Sequence, residues 1–213
     1  STVSFDYVPG SMMRGALVAR FLRGRGLKPE QALDDTTCAH LFFSGRVRFL
    51  NAYPLSADQQ RTLPTPRSLL RAKSDMIVNF DRIPADEQIP IDIANAGHPQ
   101  FGDALRQKLE QQEPLKPIGK PFCTPGATTI FYAPDHTIAV HIQRDPGKGR
   151  ATREEGEVFQ YDALAAEQCF GGMILAETAQ DADGIASLLN SDAHLRLGRS
   201  RSANYGQVAC EGV

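Results

Sequence analysis

The chain has 213 residues, 41% of them hydrophobic, enough for one large domain or two small ones around a buried core. A formal charge of −2 and a pI near 6.2 exclude a uniformly basic binder of polyanions, so any nucleic-acid contact must come from local basic clusters that face one way. No apolar run of transmembrane length or signal-like segment is read, and Cys38, Cys123, Cys169 and Cys210 form no C-x-x-C pair, so a cytoplasmic protein with no membrane contact is expected.

Taken in order, Ser4 to Val8 alternate loosely and predict the end of a strand. Pro9-Gly10 is a turn signal and Ser11 a good N-cap; Met13, Leu17 and Phe21 then recur four apart, predicting a core-facing helix from about Ser11 to Arg23, stopped by Gly24-Arg25-Gly26. Its first turn offers backbone N–H groups and Arg14 as a seat for one phosphate. Gly15, which costs about 1 kcal/mol relative to alanine inside a helix, points either to close approach of another backbone or to a tolerated packing choice. Basic residues gather at Arg14, Arg20, Arg23, Arg25 and Lys28, and again at Arg46, Arg48, Arg61, Arg67, Arg71 and Lys73.

Asp34-Asp35-Thr36-Thr37 leads into Cys38-Ala39-His40-Leu41-Phe42-Phe43, where a Thr cap and an apolar run predict a short buried helix. The stretch from Arg46 to Tyr53 begins with period-two alternation, the sign of a half-buried strand with Arg46 and Arg48 on the solvent side. Residues 54–75 read as irregular, Met76 to Phe80 as a strand, Asp81 to His98 as an acidic insertion, Pro99 to Gln112 as helical, and Pro114 to Pro121 as an extended connector. Strands are predicted at Thr128 to Tyr132, Thr137 to Ile142, Glu157 to Tyr161 and Cys169 to Ala176, with a basic tip at Asp145 to Arg150. A helix at Ala182 to Leu189 and a last strand near Tyr205 to Cys210 complete an α+β, ferredoxin-like (RRM-like) βαββαβ plan. It is expected as one domain over 1–213, with β-hairpin and loop insertions at about 54–75 and 81–126.

In that plan the stretch Leu197-Gly198-Arg199-Ser200-Arg201-Ser202-Ala203-Asn204-Tyr205-Gly206 lies between the second helix and the last strand. Gly198 and Gly206 open backbone shapes closed to other residues, Arg199 and Arg201 bring fork-shaped cations, and Ser200, Ser202 and Asn204 bring neutral hydrogen bonds. That inventory suits a phosphodiester backbone, with Tyr205 or Phe49 placed to stack on a splayed base if exposed. A solvated Gly/Ser turn has the same composition.

For catalysis the acidic candidates are Asp34 and Asp35. An acidic pair before Thr36-Thr37 also serves as a helix cap. His40 and His194 are possible general bases for which the sequence names no partner. Cys38-x-His40 lacks the paired short spacing of a structural zinc site, and no G-x-x-x-x-G-K-[ST], G-x-S-x-G or H-E-x-x-H motif occurs, so no metal and no cofactor are expected.

Four segments, Tyr7 to Leu17, Phe43 to Pro54, Leu63 to Ser68 and Leu197 to Gly206, together resemble the RAMP proteins of CRISPR systems. The resemblance is closest to the Csx-ten family, the Cas5-like subunit of type III-D effector complexes; Glu157 to Tyr161 and Cys169 to Leu175 also fit. It spans nearly the whole chain, which resembles a truncated or compact version of a longer family architecture. The resemblance implies an RRM-like fold whose glycine-rich loop contacts CRISPR RNA (crRNA) near its 5′ repeat handle, other Cas subunits as partners, and target RNA met indirectly. The RNA-binding set expected on this basis is Ser11, Arg14, Arg46, Arg48, Arg67, Lys73, Arg199, Ser200, Arg201, Ser202, Asn204 and Tyr205, with Gly10, Gly15, Gly198 and Gly206 shaping the backbone. The alternatives implied are a Cas7-like backbone subunit with metal-dependent cleavage of target RNA by a loop aspartate, Asp34 and Asp35 being the candidates to bind the metal or position the attacking 2′-hydroxyl, or a protein scaffold without its own RNA site.

Overall fold

The computed structural model describes residues 4–72, 91–92, 94, 106–112, 114–125, 129–142, 158–192, 194–198 and 205–211. In chain order the elements are α1 (Gly10–Gly24), a 3-10 turn (Pro29–Gln31), α2 (Thr36–Phe43), β1 (Val47–Phe49), β2 (Tyr53–Pro54), β3 (Leu63–Pro64), β4 (Leu69–Ala72), β5 (Ile91–Asp92), β6 (Leu115–Pro117), β7 (Phe122–Cys123), β8 (Phe131–Tyr132), β9 (His136–Ile142), β10 (Val158–Leu164), β11 (Phe170–Gly171), β12 (Ile174–Ala176), α3 (Ala179–Asn190), β13 (His194–Arg196) and β14 (Gln207–Ala209). Residues 106–110 are also helical. This is an α+β architecture of small antiparallel sheets, and it divides into two units. One comprises Ser1–Ala52, Ile138–Ala163 and Gly172–Val213; the other comprises Tyr53–Thr137 and Leu164–Gly171.

In the first unit α1, β1, β12, α3 and β14 follow one another in the expected order, while the opening strand shrinks to one antiparallel bridge between Val8 and Ala52. Leu17 and Phe21 are buried together with Cys38, Leu41, Phe42, Val47, Ile185 and Leu195. Phe42 stands edge-on to Phe21, ring centres 5.9 Å apart, and stacks on Phe49 at 6.1 Å. The strand alternation fits this core. Val47 and Phe49 lie opposite Ala176 and Ile174, all four turned inward, while Arg48 faces Leu175 on the outside.

Several local expectations are corrected. Helix α1 starts at Gly10, one residue early, because extended Pro9 is its cap and the Pro9 carbonyl accepts from the Met12 N–H at 2.9 Å; Ser11 is inside the helix. The cap of α2 is Asp35, whose carboxylate accepts from the Cys38 N–H at 2.8 Å, and Thr36 and Thr37 lie within the helix. The predicted strand from Arg46 to Tyr53 ends at Phe49, since Ala52 turns to bridge Val8 and Tyr53 pairs in the other unit. Likewise, Cys169 to Ala176 is two strands, with the change of unit at Gly171/Gly172.

The second unit contains the described parts of both expected insertions. Its sheets are β2–β11, β3–β7–β8 and β5–β4–β6. The predicted connector Pro114 to Pro121 is partly a strand, with Lys116 opposite Arg71. Pro117 and Pro64 are tolerated because β6 and β3 are edge strands, where a missing N–H breaks no inner ladder. Ile118, Cys123 and Phe131 form its small core, against which Leu69 packs. The strand expected at Met76 to Phe80, the basic tip at Asp145 to Arg150, and most of Asp81 to His98 lie outside the described residues.

Candidate nucleic-acid interface

The two ends of the glycine-rich stretch lie at the root of an antiparallel strand pair, the base of a hairpin. Strand β13, absent from the sequence reading, comes between α3 and the loop, and pairs with β14 so that Leu195 faces Val208 and Arg196 faces Gln207. Leu195 is buried between exposed His194 and Arg196, an alternation too short to register as a period. The Leu197 N–H donates to the Gly206 carbonyl at 2.8 Å and closes the hairpin beyond the strands. Gly198 has φ of +87° and Gly206 of +72°, both in the left-handed region that favours glycine. At Gly206 a Cβ would lie 1.7 Å from the Leu197 carbonyl oxygen, so glycine is required there by space as well as by backbone angle. The tip residues Arg199, Ser200, Arg201, Ser202 and Asn204 lie outside the described residues, as does Lys73.

Arg20 anchors this hairpin. The residue is 9% exposed, and its guanidinium donates to the carbonyl oxygens of Leu188, at 2.8 Å, and Asp192, at 2.7 Å, and also to that of His194. These carbonyls sit at and just beyond the C-terminal end of α3, where helix geometry leaves acceptors unsatisfied. Arg20 therefore belongs to the core, not to the basic surface. Its place beside Leu17 and Phe21 on the helical repeat was the available signal.

The other expected ligands vary in setting. Arg14, Arg48 and Arg67 are exposed, Arg67 in the second unit; Arg46 is exposed and lies 3.8 Å from Glu177, a surface pair that a ligand can displace at little cost. The helix start is only partly open, because the Gly10 N–H donates to Asn51 Oδ1 at 3.0 Å. Gly10 is also a contact glycine, since a Cβ would come within 2.0 Å of the Phe49 carbonyl oxygen. At Gly15 the close approach of a backbone is not found among the described residues: none of them lies within 4 Å of a built Cβ. Phe49 is half-buried in the core and Tyr205 is half-buried against Tyr161, with ring centres 6.2 Å apart and planes 26° apart. Tyr161, exposed on β10, was missed although it ends the predicted segment Glu157 to Tyr161.

The acidic and histidine candidates have structural employment. Asp35 uses one oxygen for the helix cap and the other for Arg25 at 3.1 Å, while Asp34 is exposed. His40 Nε2 meets Asp181 Oδ1 at 2.7 Å, and the Thr178 hydroxyl donates to Asp181 Oδ2 at 2.8 Å. The Thr178 hydrogen bond chiefly, and then His40, hold the Asp181 carboxyl below its usual range, against the opposing effect of burial. His194 Nδ1 is 3.5 Å from Asp192, whose carboxyl is held low mainly by the His194 backbone N–H. Cys38 is buried, with its thiol pushed up by that burial, whereas His40 is exposed two residues on, so the two point away from each other on α2. Among the described residues no cluster of three or more metal-ligating side chains forms, and no helix is long and apolar enough to cross a membrane.

The structure is similar to a chain in the cryo-EM structure of the Type III-B Cmr-beta bound to cognate target RNA, with a TM-score of 0.47 and 10% identity over 95% of this chain and 83% of that chain. It is similar to a chain of the Type III-B Cmr-beta apo state at a TM-score of 0.44, with 10% identity over 95% and 83%. No family model matches the sequence, and no curated protein matches it significantly.

Proposed function

We propose that this chain is a non-catalytic crRNA-binding subunit of a type III CRISPR effector complex, of the Cas5-like kind, that holds the RNA near its 5′ repeat handle beside other Cas subunits. The observation that carries the reading is the hairpin base at Leu197 and Gly206, fixed by two left-handed glycines and a cross-strand hydrogen bond; the sequence between them brings Arg199, Ser200, Arg201, Ser202 and Asn204. The ordered resemblance of four segments to RAMP proteins supports it. Guanidinium groups at the tip grip phosphate oxygens in a forked geometry, and the serine hydroxyls complete the contact without reading base identity. Arg14, Arg46 and Arg48 extend the grip in the first unit. No sequence-specific chemistry is required of the protein, because pairing by the RNA itself supplies specificity.

The test is filter binding of a CRISPR repeat-derived RNA and a scrambled RNA of equal length at two salt concentrations, with the wild type and the Arg199→Ala/Arg201→Ala double variant. Binding of the repeat-derived RNA that the variant loses, with a shallower dependence on salt, is the expected result. Equal binding by both proteins removes the hairpin from the site, and no binding by either favours the scaffold reading.

A further inference from the structure

Beside the root of the hairpin, two tyrosines from distant parts of the first unit meet. Tyr205 immediately precedes Gly206, whose backbone is fixed by the hydrogen bond from Leu197; Tyr161 projects from β10 and is 37% exposed. Their rings stack at 6.2 Å with planes 26° apart, within the offset geometry that aromatic pairs prefer. The strand under Tyr161 is anchored at the next residue, where the Asp162 carboxylate accepts from the Ser4 N–H at 2.9 Å. One ring is thus held by its partner and by its strand, and part of it remains open to solvent.

Building on the RNA-binding reading above, we propose that Tyr161, backed by Tyr205, is a stacking platform for one unpaired RNA base. A ring with only two side-chain torsions, already held in place, accepts a base with little further loss of entropy, and every base has a π-face, so the platform is sequence-tolerant. It complements a hairpin that grips phosphates: the charged contact sets affinity and its salt dependence, and the ring takes a base that leaves the stack. Single-stranded RNA suits such a site, and a duplex, whose bases are already stacked, does not.

The chain contains no tryptophan, so Tyr161→Trp places a unique indole at the site. Its emission is followed on adding a single-stranded oligoadenylate of about ten nucleotides, within the usual site size of such proteins, then an RNA duplex of equal length, and heparin as a polyanion without bases. Strong quenching by the single strand alone is expected. Tyr161→Ala, checked for folding by its thermal transition, weakens single-strand binding about 5- to 150-fold with no change in salt slope, the range for one lost stack. Wild-type affinity in Tyr161→Ala with an unquenched indole in Tyr161→Trp overturns the platform and leaves the hairpin reading intact. Absence of single-strand binding by the wild type overturns both, and equal quenching by heparin shows a charge effect and overturns the platform. Should Tyr161→Ala not fold, the indole response decides.

Discussion

The guanidinium of Arg20, on α1, donates to the main-chain oxygen of Leu188 in the last turn of α3 at 2.8 Å. The same group reaches Asp192 and His194, so one buried cation joins helix α1, the end of α3 and the start of β13. Arg20→Ala strands several part-buried carbonyls and is expected to cost about 3 kcal/mol, at the upper end for buried acceptors left without partners. Arg20→Lys restores the charge but not the fork, and recovers part of that loss. Arg23→Ala, at an exposed position on the same helix, stays within about 0.5 kcal/mol of wild type. Denaturant midpoints measure all three, and an Arg20→Ala protein as stable as Arg23→Ala removes the anchor.

The two hairpin glycines differ in what constrains them, and their alanine variants separate backbone strain from collision. Among the described residues nothing lies near a Cβ built on Gly198, so Gly198→Ala is expected to carry the left-handed backbone alone, about 1–2 kcal/mol. Gly206→Ala adds a collision with the Leu197 carbonyl and must break the hydrogen bond that closes the hairpin, at about 3 kcal/mol or more. Thermal unfolding ranks them. Equal losses would show that the hairpin base yields easily.

Helix α1 supplies an opposing pair. Gly10→Ala drives a methyl group into the Phe49 carbonyl and is expected to destabilise by about 2 kcal/mol or more. Gly15→Ala meets open space in an exposed helical position and is expected to stabilise by about 0.5–1 kcal/mol, because glycine's helix penalty is removed without a clash. If Gly15→Ala stabilises the free protein yet weakens RNA binding, the bare backbone there serves a ligand.

Local signals in the sequence located the helices and the longer strands. The Gly24-Arg25-Gly26 stop is visible because Gly26 takes φ of +66° and the Leu27 N–H turns back to the Leu22 carbonyl at 2.9 Å. The alternation at Val47, Arg48 and Phe49 is visible because only one face of β1 meets the core. Strands β3, β6 and β13, of two or three residues, carry no period of their own and exist through their partners. The burial of Arg20 showed only in its place on the helical repeat, because arginine is ordinarily a surface residue and its acceptors are main-chain atoms, which composition does not reveal. The two ends of the hairpin root were legible as Gly198 and Gly206. The contact of Tyr161 with Tyr205 was not, since nothing local links residues so far apart in sequence.

Asp181 gives the acid response a definite sign. Its folded carboxyl lies below the ordinary carboxylate range, held there by the Thr178 hydroxyl first and by His40, so the unfolded chain takes up the proton more readily. The stabilisation from this group is therefore complete above the ordinary carboxylate range, and it is lost as the pH falls through that range to the lower folded value. Thr178→Val removes the hydroxyl that donates to Asp181 Oδ2 and also the oxygen that caps the Asp181 N–H at 3.2 Å. The cap contributes about 1 kcal/mol at every pH, whereas the carboxylate contribution vanishes in acid. The stability gap between wild type and Thr178→Val is thus expected to be widest at neutral pH and to narrow, without closing, as the carboxyl protonates. Denaturant midpoints taken from neutral pH down through the carboxylate range read this directly, and two curves that stay parallel throughout would mean that Thr178 acts on the helix backbone alone.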